Sequence, residues 1–242
     1  IWIPNKYIFL LIIKTNIMNY KEEEELINNG FVELPNLAYD GSKEIFENLQ
    51  KEFDKTYNSN TEFHNEYLKK HNILTDLKDD LFKLAKKQYG IKVNKNDIYT
   101  ITRLVKSFDG LEAYRGHFDS HLFTLVTPVI IPKANDPESG QLIVFTKIRK
   151  EPSNELINIL GKLKYKLLYS SKKSFRNLMK NKNYKEFDFT NLNPVLFLGR
   201  QSYHGNRSFA KAPNGIRVTL LTHFFDPSSS GLGAVLRKIR NR

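Results

Sequence analysis

Cysteine is absent from the 242 residues. That excludes a disulfide scaffold, a thiolate-ligated zinc or iron–sulfur centre and a thiol nucleophile, so any metal must sit on His, Asp or Glu. Long apolar runs are also missing. The stretch Tyr7-Ile8-Phe9-Leu10-Leu11-Ile12-Ile13 is far short of the roughly 20 residues that span a bilayer. Only Lys6 supplies positive charge ahead of it and no small-residue cleavage site follows, a poor match to a secretory signal. Residues 1–17 are instead expected to be a non-native or disordered extension, translated upstream of a start at Met18. The expected protein is cytoplasmic, with no membrane partner.

Acidic charge is in deficit. Lys and Arg number 38 against 26 Asp and Glu, a net charge of +12. The excess accompanies abundant Asn, Ile, Phe and Tyr, the mixture that an A+T-rich genome produces. It is spread along the chain, apart from a cluster at Arg237, Lys238, Arg240 and Arg242. A nucleic-acid-binding surface calls for a patch rather than a background, so nucleic acid is the less favoured partner. Apolar residues make up 40% and charged residues 26%, which is globular rather than disordered composition.

Helices come first. Lys21 to Asn29 reads as a short helix with acidic residues in its first turn, closed by Gly30, and Phe31 to Pro35 as a strand. Asp40 or Ser42 can cap a second helix carrying Ile45, Phe46, Leu49 and Phe53. Residues 62–89 carry Leu74, Leu77, Leu81 and Leu84 as a buried helical stripe ended by Gly90. Strands follow at Ile98–Phe108, Leu122–Ile131 and Gln141–Phe145, then a basic helical stretch at 152–186, then strands at Pro194–Leu198 and Ile216–Phe225. This order predicts an α+β protein whose β-rich half is a sandwich or barrel.

The six histidines are His64, His71, His117, His121, His204 and His223. Two of them precede a carboxylate by two positions, at His64-Asn65-Glu66 and His117-Phe118-Asp119. The first pair lies in a helical, charged stretch, where such residues diverge, and reads as surface. The second pair reads as the opening of a strand, where i and i+2 share a face. His204, in the turn-rich run Ser202-Tyr203-His204-Gly205-Asn206, is the best third ligand. Two His and one carboxylate on one face leave open positions that suit non-haem Fe(II). Arg217 and Thr219 share a strand face thirteen positions beyond His204, and a guanidinium beside a hydroxyl suits two-point capture of a carboxylate. His121 and His223 read as core or rim residues, Arg103 as surface or substrate-facing, and Phe123, Phe145, Phe197 and Phe224 as core.

The runs Tyr114-Arg115-Gly116-His117-Phe118-Asp119, Glu138-Ser139-Gly140-Gln141-Leu142 and Gly199 through His204 to Arg217-Val218-Thr219 together resemble the Fe(II)- and 2-oxoglutarate-dependent oxygenases. The first run is similar to that of prolyl-4-hydroxylase-like members. The opening Asn29-Gly30-Phe31-Val32-Glu33-Leu34-Pro35 resembles that of phytanoyl-CoA-hydroxylase-like members. In prolyl-hydroxylase-like members the basic residue follows the distal His by about nine or ten positions, against thirteen for Arg217, which leaves Lys211 as a less favoured alternative anchor. The resemblance implies a double-stranded β-helix (jelly-roll) core with N-terminal helices and a helical insert. It places one oxygenase domain at 18–227, the insert at about 152–186 and a basic tail at 228–242.

The resemblance also implies chemistry. His117, Asp119 and His204 would hold Fe(II) and form the catalytic centre, while Arg217 and Thr219, helped by Tyr114, would hold 2-oxoglutarate. Dioxygen is the second co-substrate and ascorbate a candidate auxiliary. Hydroxylation of a small molecule or a protein side chain would release succinate and CO₂. The rivals are a nucleic-acid-oxidising member of the superfamily, a non-catalytic β-barrel binding module and a metal hydrolase on the same ligands.

Overall fold

The computed structural model describes residues 17–41, 57–59, 61–90, 93–106, 113–131, 140–208 and 215–229. The expected helix over Ile45–Phe53, Lys211, the basic tail cluster and the N-terminal extension up to residue 16 lie outside them. Ile17, the last residue of that extension, packs against the core, and Met18 is buried.

Helix α1 (Tyr20–Asn29) begins with a capping box. The Asn19 side chain accepts from the Glu22 amide, and the Glu22 carboxylate accepts from the Asn19 amide at 2.7 Å, so two otherwise orphaned donors are satisfied. Gly30, at φ +88°, closes it in the left-handed conformation. Strand β1 (Phe31–Glu33) follows, then β2 (Tyr57–Ser59) and α2 (Glu62–Lys70). The expected continuous helix over 62–89 is interrupted. Asn72 turns left-handed at φ +52° and a π-helical turn spans Ile73–Leu77 before α3 (Lys78–Tyr89). Leu77, Leu81 and Leu84 are buried as expected, and Leu74 is partly exposed.

The remaining strands are β3 (Ile98–Lys106), β4 (Phe123–Ile130), β5 (Leu142–Phe145), β6 (Tyr184–Phe187), β7 (Val195–Leu198), β8 (His204–Asn206) and β9 (Ile216–Phe224). Helices α4 (Glu155–Tyr169) and α5 (Lys172–Asn181) lie between β5 and β6. The basic stretch expected to be helical to residue 186 therefore ends in strand, because Tyr184–Phe187 pairs with Leu142–Phe145. A six-stranded sheet runs β1-β7-β4-β9-β3-β2 and a three-stranded sheet runs β6-β5-β8, with every strand pair antiparallel.

Period-two alternation builds the layers. On β7, Leu196 and Leu198 join Leu125, Val218, Leu220 and Phe224 on the outer face, beneath the N-terminal helices. Val195 and Phe197 point the other way and meet Leu142 and Val144 of the small sheet. Ile143 and Phe145 of β5 then face outward onto Phe175 and Leu178 of α5. Helices, large sheet, small sheet and insert helices thus form four layers, and the two sheets face each other across a shared apolar cluster.

Charged contacts seat the insert. Arg200, almost wholly buried, donates through Nε to Glu151 Oε1 at 2.6 Å and through Nη1 to Glu155 Oε2 at 3.1 Å, in the first turn of α4. Arg149 adds Nη2 to Asn158 Oδ1 at 2.7 Å. The opposite face of α4 leaves Leu156, Leu160, Leu163 and Leu167 exposed. Among the described residues no helix is long and apolar enough to cross a membrane.

Candidate metal centre

The two histidines far apart in sequence meet through their backbones. His117 and His204 form an isolated antiparallel bridge in which each amide donates to the other's carbonyl, at 2.9 and 3.0 Å. Directly opposed residues project their side chains to the same side, and the two ring centroids lie 4.3 Å apart. His204 stands on strand β8 rather than in a turn. His117 and Asp119 do not open a strand as expected. They occupy an irregular segment ahead of β4, and the bridge with β8, not a continuous ladder, aims His117.

Asp119 is pinned by its own amide, which donates to Gly199 O at 2.9 Å. Gly199 is required there because a Cβ would come 2.7 Å from the His121 carbonyl and 2.9 Å from the Asp119 Cβ. The carboxylate then sits between the imidazoles, with Oδ1 3.5 Å from His117 Nε2 and Oδ2 3.6 Å from His204 Nε2. Each imidazole turns its other nitrogen to a backbone carbonyl: His117 Nδ1 lies 3.1 Å from Arg115 O and His204 Nδ1 3.1 Å from Ser202 O. A carbonyl only accepts, so both Nδ1 atoms carry a proton and both Nε2 atoms are turned to the carboxylate. This is how metal-ligating histidines are oriented. The ligand atoms of the three residues lie within 4.8 Å of one another and could hold one metal ion.

The triad's groups perturb one another: burial alone would lower the His117 imidazole, but the hydrogen bond and charge of Asp119 raise it above its ordinary value. Burial alone would raise the Asp119 carboxyl, but the surrounding imidazoles of His204, His117 and His223 hold it well below the usual carboxylate range. Burial brings His204 down to about 4, so its Nε2 is free of a proton at neutral pH. Thr124 donates to Asp119 Oδ2 at 2.6 Å, and its oxygen lies 3.0 Å from His223 Nδ1. The threonine has one proton and gives it to the carboxylate, so His223 Nδ1–H donates to Thr124. Two residues beyond the triad thus orient the carboxylate.

A cavity of about 630 Å³ opens beside the triad, within the range of roughly 300–1,000 Å³ for small-molecule sites. Its floor is the inner face of the large sheet: Thr124 and Val126 of β4, Phe197 of β7, and Arg217, Thr219 and Leu221 of β9. Arg217 is buried and donates through Nη1 to Gly140 O and to Asn206 Oδ1, the latter at 3.1 Å, while its Nε has no hydrogen-bond partner among the described residues. Burial, and then the like charge of Arg103, bring this guanidinium down to about 9, so it remains a cation at neutral pH. An uncompensated buried cation is costly unless an anion joins it.

No family model matches the chain, and no curated protein matches it. Solved structures do. HygX from Streptomyces hygroscopicus with iron bound aligns at a TM-score of 0.53 and 11% identity, over 86% of this chain and 87% of that one. EvdO2 from Micromonospora carbonacea var. aurantiaca aligns at 0.53 and 11%, over 86% of this chain and 91% of that one. The fold is the double-stranded β-helix.

Within this double-stranded β-helix, His117, Asp119, His204, Arg217 and Thr219 all line one cavity. Tyr114 does not. At φ +58°, it is buried in the cluster with Phe145 and Phe175 behind the small sheet, and its hydroxyl accepts from Arg176 at 3.2 Å. His64 is not on the surface: it is fully buried, 3.2 Å from the Thr222 hydroxyl. Phe197, expected as core, packs against His204 at 4.5 Å between centroids. Thr124, Phe197 and the α4 residues Lys162 and Lys166 line the cavity without having been singled out for it. The alternation of β4 and β7 was the available signal for the first two, and none existed for the lysines. Lys162 donates to Ser120 Oγ at 3.0 Å, and burial lowers its ammonium to about 8. His121 and Tyr99 stack at 6.2 Å, beside His223 at the rim.

Proposed function

We propose that this cavity is the active site of an Fe(II)- and 2-oxoglutarate-dependent dioxygenase that hydroxylates a small molecule or a protein side chain. The observation that carries the reading is the convergence of two Nε2 atoms and one carboxylate, beside a cavity whose floor holds the buried Arg217. The donor set fits the metal: two imidazoles and one carboxylate hold non-haem Fe(II) and leave positions open.

His117, Asp119 and His204 hold the iron. With 2-oxoglutarate and dioxygen bound, the iron supplies an oxidant for a C–H bond, with succinate and CO₂ as co-products. The chain does the rest. Arg217 grips the distal carboxylate of 2-oxoglutarate as a charge-assisted fork, with the Thr219 hydroxyl on the same strand face. Thr124 and His223 keep the Asp119 carboxylate turned toward the imidazoles. Val126, Leu142, Phe197 and Leu221 form an apolar wall that excludes water around the reacting groups. Tyr114, buried behind the small sheet, has no part in holding 2-oxoglutarate.

The test is release of succinate from 2-oxoglutarate by the purified protein. It should require Fe(II) and dioxygen, and should vanish in His117→Ala, Asp119→Ala and His204→Ala. Metal binding without succinate formation would favour a hydrolase on the same ligands.

A further inference from the structure

Helix α4 is amphipathic the wrong way round. A surface helix ordinarily turns its apolar stripe to the core. Here the inward side is polar: Glu155 accepts from Arg200, Asn158 accepts from Arg149, and Lys162 donates to Ser120. The aliphatic side faces out. Leu156, Ile157, Leu160, Leu163, Leu167 and Leu168 are between 49 and 74% exposed, and at about 100° per residue they share one broad face. A contiguous apolar patch marks an interaction site, whereas single exposed leucines do not.

The charge around the patch says what covers it. Lys164, four positions from both Leu160 and Leu168, stands within that face. On α5, Lys173 and Lys180 lie on the side opposite the buried Phe175 and Leu178. All three lysines are exposed. Between residues 152 and 184 the only acidic residue is Glu155, which is bound to Arg200, so neither helix carries a carboxylate to neutralise them. An aliphatic ridge edged by lysines complements a surface with an acyl interior and an anionic face. A second copy of this chain fits less well, because a two-fold pairing sets the same lysines against one another.

We propose that the outward face of α4 docks on an anionic lipid membrane, with its leucines entering the boundary between headgroups and acyl chains and with Lys164, Lys173 and Lys180 against the lipid phosphates. A helix lying in the interface needs no spanning segment. Lys162 and Lys166 of the same helix line the cavity, so one helix carries both the docking face and a wall of the candidate active site.

The test needs no metal and is independent of the oxygenase reading. The full chain is sedimented with vesicles of equal parts phosphatidylcholine and phosphatidylserine, and with vesicles of phosphatidylcholine alone. Binding to the mixed vesicles should be at least tenfold tighter and should weaken as salt is added. A lysine at an anionic surface is worth about fivefold in affinity, so the triple variant Lys164→Gln, Lys173→Gln, Lys180→Gln should lose tenfold or more. The double variant Leu160→Ser, Leu163→Ser should lose as much, with circular dichroism and urea midpoint unchanged because these side chains face outward. In Leu163→Trp the added fluorescence should shift to the blue on mixed vesicles, which a role in folding alone would not produce. The proposal is overturned if mixed vesicles are not bound, if both vesicle types bind alike, or if the leucine variant binds as tightly as wild type. A dimer that Leu160→Ser, Leu163→Ser dissolves, without vesicle binding, would overturn it too and give the face to a second copy.

Discussion

His64 makes the stability of this protein acid-sensitive over a defined range. The side chain is fully buried, Nε2 lies 3.2 Å from Thr222 Oγ1, and Nδ1 has no hydrogen-bond partner among the described residues. Burial, and then the like charge of His223, hold its pKa at about 4, against 6.5 for the free side chain. The folded-state value is depressed, so the unfolded chain takes up this proton first as the pH falls. The contribution is fully present above pH 6.5, declines through the interval down to about 4, and is flat below it. At pH 4.5 the difference amounts to about 2.5 kcal/mol, a large part of a domain's stability. Urea unfolding of wild type and His64→Gln at pH 7.5 and pH 4.5 isolates it, because the other groups titrate in both proteins and cancel. Wild type should lose about 2.5 kcal/mol more than the variant between the two pH values. Equal losses would refute the reasoning, since they would mean that His64 is already solvated or protonated in the fold.

Other perturbations have expected outcomes. Thr124→Val removes the 2.6 Å donor to Asp119 while keeping the shape, and should weaken Fe(II) or Co(II) affinity by about tenfold or more, read by anaerobic titration. Arg217→Met should raise the dissociation constant of 2-oxoglutarate by about 10–100-fold, with metal affinity measured in parallel. Arg200→Met leaves Glu151 and Glu155 without their buried partner and should cost about 3 kcal/mol or more, visible as a lowered urea midpoint. Gly199→Ala forces a Cβ to within 3 Å of the Asp119 side chain; it should weaken metal binding while leaving the far-ultraviolet circular dichroism unchanged.

Periodicity revealed the long elements because each buries enough apolar surface to leave a mark. The strands β3, β4 and β9 and the helix α1 lie within a few residues of their expected bounds, and the expected helix over 62–89 ends as expected at Gly90. The short strands β2, β6 and β8 left no such mark. Three or four residues, largely polar in Tyr57–Ser59 and Tyr184–Phe187, pair because a neighbouring strand offers its edge, not because their own pattern demands it. Among site residues, His117, Asp119 and Arg217, singled out from strand alternation and context, line one cavity. The His117–His204 bridge was not legible, since a single backbone pair on the β8 edge of the small sheet has no sequence periodicity. His64 was misread because charge on both sides of it outweighed one buried helical position. Tyr114 was misread because proximity in sequence to His117 does not survive a left-handed turn that sends its ring to the other side of the sheet.

The central claim is that His117, Asp119 and His204 hold one ferrous ion, and stoichiometric titration of Fe(II) into the protein without dioxygen tests it most directly. One equivalent should bind to wild type, and binding should be lost in Asp119→Ala and His204→Ala while circular dichroism shows the fold intact. Undiminished binding of one equivalent by both variants would contradict the account.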